Sequence, residues 1–75
     1  MKPYIRYWNN GFRLYPPRTL RGEAAIAFLR FSADYFSALA KRYREQAHLE
    51  VDGNRLVADL SQAPRTLQAA RRLER

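Results

Sequence analysis

Seventy-five residues carry fourteen lysines and arginines against seven acids, a formal net charge of +7, and no cysteine. A chain of this length makes one domain with a thin core, since a 60-residue domain buries only roughly 60% of the surface its unfolded chain exposes, and without cysteine it has neither a disulfide framework nor a thiolate metal site. The charge bears on solubility and attraction to polyanions rather than on fold, and no apolar run approaches the length of a membrane span.

Twelve of the fourteen cations are arginine, and the first 22 residues hold Lys2, Arg6, Arg13, Arg18 and Arg21 with no acid. Arginine grips phosphate bidentately and stacks on rings better than lysine does. A GC-rich coding sequence would enrich arginine equally. No apolar leader follows Met1-Lys2-Pro3, and a small domain without disulfides suits a reducing compartment, so a cytoplasmic protein is expected.

The first element is a hairpin over about residues 4–15, which contains five of the ten aromatic residues. Asn10-Gly11 is the turn signal, because a type I′ turn needs positive φ at both central residues. That register sets Trp8 opposite Arg13 and Arg6 opposite Tyr15. Alternation places Ile5, Tyr7, Phe12 and Leu14 on a core face and Tyr4, Arg6, Trp8, Arg13 and Tyr15 on the other. The second face interleaves π-surfaces with guanidinium groups, as surfaces that stack bases and contact phosphates do. The same pairs also stabilise a small sheet by themselves, and a second layer would cover them equally well. Shifting the turn by one residue is expected to regroup the faces.

Pro16-Pro17 stops the second strand. Thr19 is the expected N-cap of a helix over about residues 20–46, with Glu23 suited to its N-terminal dipole. Ala25, Phe28, Leu29, Ser32, Phe36, Leu39, Ala40 and Tyr43 recur at helical spacing and form the core arc, with Ile26 and Ala33 at its edge. Arg30–Asp34 and Lys41–Glu45 have the i,i+4 spacing of weak surface pairs. Ala27, Phe31, Tyr35 and Ala38, beside Arg42, extend the apolar arc towards solvent. Either the second half of the chain packs there or another molecule does, as in a homodimer or partner contact.

A second hairpin is expected over about residues 48–60, around Asp52-Gly53-Asn54 with a two- or three-residue loop. Its strands carry Glu50, Asp52 and Asp59. Ser61 is the expected cap of a last helix over about residues 62–74, which tolerates Pro64 in its first turn and buries Ala63, Leu67, Ala70 and Leu73. Its other side shows Arg65, Gln68, Arg72 and Arg75, with Arg71 adjacent. These arginines suit either phosphate contacts or the C-terminal helix dipole.

The order hairpin–helix–hairpin–helix defines an α+β two-layer domain, with an antiparallel sheet of about four strands and one long and one short helix. His48 and Glu50 share a strand face, but no further residue completes an acid–base or metal site. Gly11, Gly22 and Gly53 are isolated and make no phosphate loop. The expectation is a non-enzymatic binding module without metal or cofactor. Its expected partner is nucleic acid, single-stranded or RNA rather than duplex, held by Tyr4, Trp8, Tyr15 and the arginines at 6, 13, 18 and 21. The rival is a protein-binding inhibitor or adaptor that blocks an acidic surface of a larger complex, as small accessory proteins of phages and mobile elements do. Tyr, Trp and Arg are also the residues of interface hot spots.

Overall fold

Two hairpins alternate with two helices in the computed structural model, which describes residues 4–73. The strands are β1 (Tyr4–Trp8), β2 (Gly11–Tyr15), β3 (His48–Asp52) and β4 (Arg55–Asp59); α1 is Glu23–Arg42 and α2 is Pro64–Leu73. All four strands join one antiparallel sheet in the order β1-β2-β4-β3. The two hairpins therefore meet through their second strands, and β1 and β3 form the edges. Both helices lie against the same face.

The first turn differs from expectation by one residue. Trp8 pairs with Gly11, Arg6 with Arg13 and Tyr4 with Tyr15, so the loop residues are Asn9-Asn10. The described residues with positive φ are Arg44, Gly22 and Gly53, so this is not a type I′ turn. Moving a two-residue loop by one position slides the pairing by two residues. Because side chains alternate with a period of two, both faces keep the membership read from the sequence rather than regrouping. Gly11 is needed for its missing side chain instead. A Cβ there would run into the Ala58 carbonyl of β4 and come within 2.9 Å of the Trp8 ring.

The second hairpin closes on the two-residue loop Gly53-Asn54, where Asp52 pairs with Arg55. Gly53 has φ +63 and Asn54 does not share the sign, the pattern of a type II′ turn.

The long helix is shorter than expected at both ends. Thr19 lies in a turn closed by Leu20 N–H donating to the Pro17 carbonyl at 3.0 Å, and Gly22 takes the N-cap position with φ 56 and ψ −128. That backbone conformation favours glycine. At the other end, Glu45 N–H donates to the Ala40 carbonyl at 2.9 Å and Arg44 N–H to that of Lys41 at 3.0 Å. Arg44 has φ 57. These paired bonds around a left-handed residue are a common way to end a helix, usually with glycine in that place.

The start of α2 is satisfied from a distance. Glu45 accepts hydrogen bonds from Arg65 N–H at 2.9 Å, Thr66 N–H at 2.9 Å and the Thr66 hydroxyl at 2.8 Å. Ser61 is not the cap; its N–H donates to Asp59 Oδ1 at 3.0 Å in a local turn. Ala63 N–H donates to Leu60, and Pro64 has no N–H to place, so every donor of the first turn is accounted for. Glu45 therefore does not pair with Lys41. The one ion pair among the described residues is Arg55–Asp52 at 3.4 Å, and Arg30 and Asp34 are likewise unbridged.

The core sits between sheet and helices. Phe12, Leu14, Leu29, Phe36, Leu56, Ala58, Leu60, Ala63, Leu67 and Ala70 are buried in one cluster, with Phe12 and Phe36 in edge contact at 4.9 Å between centroids. Thr66 is also buried, whereas Leu73 and Tyr43, both expected inside, are exposed. The C-terminal helix is tied to the first strand. The Tyr7 hydroxyl donates to the Ala70 carbonyl at 2.9 Å, and Arg71 donates to the Trp8 carbonyl at 3.1 Å while lying 5.7 Å from the Tyr7 ring.

Candidate functional site

With both helices on one face, no described element covers the other face of the sheet. Alternation and strand register assign its membership. From β1 come Tyr4, Arg6 and Trp8; from β2 come Gly11, Arg13 and Tyr15; from β4 come Arg55, Val57 and Asp59; from β3 come His48, Glu50 and Asp52. Tyr4, Arg6, Arg13, His48, Glu50, Asp52 and Asp59 are exposed, and Trp8 and Tyr15 half-buried.

This surface is polarised. The β1–β2 half carries three aromatic rings and two arginines without an acid. The β3–β4 half carries three carboxylates, one arginine and one histidine. Within the basic half, the Tyr4 and Tyr15 rings meet at 5.8 Å, and the Arg13 guanidinium lies 5.3 Å from the Trp8 ring centroid. The two arginines, Arg6 and Arg13, are direct cross-strand partners. At the boundary between the halves, Arg55 donates side-chain hydrogen bonds to Tyr15 and Asp52, which favour its charged form.

In the acidic half, hydrogen bonds from the Ser61 backbone and side chain hold the Asp59 carboxyl below its ordinary 3.8, and His48 opposite it adds a smaller effect of the same sign. The acidic half and its neighbours form a shallow depression reaching from Arg13 to Asp52. Among the described residues, no group of three or more His, Asp or Glu side chains is placed to hold a metal ion.

Five of the seven hairpin-site residues therefore share one surface. Arg18 and Arg21 are exposed in the connection between β2 and α1, off the strands. Arg65 and Arg72 are exposed on α2, on the opposite layer, and do not extend the sheet surface; Arg75 lies outside the described residues. Ala27, Phe31, Tyr35, Ala38 and Arg42 are all exposed on α1, so the second half of the chain does not cover that flank.

Sequence reasoning missed Glu45, Thr66 and Arg71. Thr66 had a signal, because Ala63, Thr66, Leu67 and Ala70 complete an i, i+3, i+4, i+7 stripe. Arg71, exposed beside that row, also donates to the Trp8 carbonyl and so braces β1.

Among the described residues, no helix is long and apolar enough to cross a membrane. Comparison with protein-family models, curated proteins and solved structures finds no match to this chain.

Proposed function

We propose that this protein is a non-enzymatic binding module that takes single-stranded nucleic acid, RNA included, on the β1–β2 half of its uncovered sheet face. The observation that carries the reading is the pairing of Arg6 with Arg13 among Tyr4, Trp8 and Tyr15, with no acid in that half. Like charges directly opposite each other destabilise a sheet, and a phosphate between them would remove the penalty. Open aromatic sheets stack splayed bases, about two or three at a time. The acidic half repels phosphate, so the bound strand would stay on the first hairpin and leave over the β1 edge.

The intrinsic fluorescence of Trp8, the only tryptophan, tests this directly. Single-stranded RNA or DNA is expected to quench it at physiological salt, while heparin is not. Trp8→Ala should weaken binding, followed through a labelled oligonucleotide, by about 1–3 kcal/mol. Arg6→Gln should lower the slope of log affinity against log salt by roughly one. Equal, salt-labile responses to every polyanion would overturn the reading.

A second reading, a protein-binding inhibitor or adaptor, is favoured by the acidic half of the same face. A partner protein with patches of both signs would match the whole surface. Such an interface would lose less affinity with salt than phosphate contacts do.

A further inference from the structure

The flank of α1 that points away from the core differs in character from the sheet face. Phe31 is 72% exposed and Tyr35 45%, one helical turn apart, between the exposed small residues Ala27 and Ala38. Glu23 occupies the first turn and Arg42 the last. Tyr35 is held in place by edge contact with the buried Phe36 at 5.1 Å. The chain as a whole carries +7, and the charges bordering this flank come closer to balance: Glu23 and Asp34 against Arg30, Lys41 and Arg42. None of the five makes an ion pair among the described residues.

The order of residues along the flank is nearly the same read in either direction. Counting outward from residue 33, Phe31 mirrors Tyr35, Ala27 comes within a residue of mirroring Ala38, and Glu23 within a residue of mirroring Arg42. A twofold axis through that point, perpendicular to the helix, therefore makes the surface complementary to itself. This is the requirement for an isologous contact, in which residue i meets j and j meets i.

We propose that the occupant of this flank is a second copy of the chain, its α1 packed antiparallel to the first. Phe31 of each copy meets Tyr35 of the other, in the edge or offset geometry that aromatic pairs favour. Ala27 and Ala38 let the helix axes approach to the usual 8–10 Å. Glu23 of each copy meets Arg42 of the other at both ends, and the two helix dipoles oppose. Arg30 and Asp34 lie close to the axis on one side and bridge across it. The strip pairs most of its own charges across the contact, and the positive charge outside it is screened beyond about 8 Å at physiological ionic strength. The proposal uses residues separate from the sheet face, so it stands or falls apart from nucleic-acid binding.

Sedimentation velocity at physiological salt, over a range of protein concentrations, tests it. The wild-type chain should show a concentration-dependent dimer. Phe31→Glu should be monomeric throughout, with an unchanged circular-dichroism spectrum, because the side chain is exposed in the monomer. Glu23→Arg and Arg42→Glu should each weaken the dimer about tenfold by setting like charges opposite, and the double variant should regain most of the loss. A monomeric wild type, a dimer indifferent to Phe31→Glu, or a double swap that recovers nothing would each overturn the antiparallel dimer.

Discussion

At position 11 a hydrogen atom stands where any other residue would place a carbon. The Trp8 ring lies on one side and the Ala58 carbonyl on the other, so the close approach of β2 to β4 depends on glycine. Gly11→Ala should destabilise the fold by about 1–3 kcal/mol through overpacking and move the Trp8 emission to the red as the ring is pushed outward. Denaturant unfolding followed by tryptophan fluorescence would measure both, and an unchanged midpoint would contradict the argument. The requirement was not legible in the sequence. Asn-Gly reads as a turn from its neighbours alone, whereas the demand for a missing side chain comes from a strand far along the chain. The two faces of the hairpin were legible, because any slip by two residues leaves alternation intact. The five-residue surface on which the proposed function rests was therefore recoverable even with its register wrong.

At the scale of elements, helical period announced both helices and most of the core, but the ends were set by backbone geometry that side-chain pattern does not encode. The stop of α1 is the instructive case. Arg44 sits in the left-handed region, which costs an L-residue roughly 1–2 kcal/mol, and glycine there would also loosen the unfolded chain by about 0.4–1 kcal/mol. Arg44→Gly should therefore stabilise the protein by about 0.5 kcal/mol, seen as a small rise in Tm. A fall in Tm would mean that the arginine side chain makes a contribution larger than its backbone penalty. The same left-handed step turns the chain so that Glu45 meets the start of α2. A carboxylate four residues beyond Lys41 looks like a surface pair in sequence, and only the tertiary arrangement reveals it as a cap.

For the whole molecule, the order of elements and the two-layer class followed from alternating hairpin and helix signals. The choice of β2 and β4 as central strands did not, because antiparallel hairpins can join through either edge. The carboxylates that secure this arrangement set its behaviour in acid. Burial is the largest single influence on Glu45 and resists ionisation. The hydrogen bonds from Arg65 and Thr66, with the charge of Arg65, together outweigh it and hold the carboxyl below its ordinary 4.5. A depressed carboxyl stabilises the fold in full above its unfolded value, and the contribution drains away as pH falls through the folded one. Asp59, held below 3.8, acts in the same direction at lower pH. Glu45→Gln should lower Tm at pH 7 by roughly 4–8 °C, the shift expected for loss of one helix cap in a domain of this size. The gap to wild type should narrow as pH falls below about 4.5. A gap that stayed constant down to pH 2 would show that the charge of Glu45 is not what caps α2.

The link between Tyr7 and Ala70, with Arg71 beside it, bears on the order of events at the ribosome. Synthesis delivers the first hairpin long before the last helix, and in β1, an edge strand, the Tyr7 hydroxyl and the Trp8 carbonyl are held by that helix. Until α2 emerges, α1 can already cover Phe12 through Phe36, but the Tyr7 hydroxyl and the Trp8 carbonyl lack these partners, next to an open strand edge. That interval is when the nascent chain is most exposed to wrong strand pairing. The arginines at 6 and 13, which keep like strands apart, are already in place throughout it.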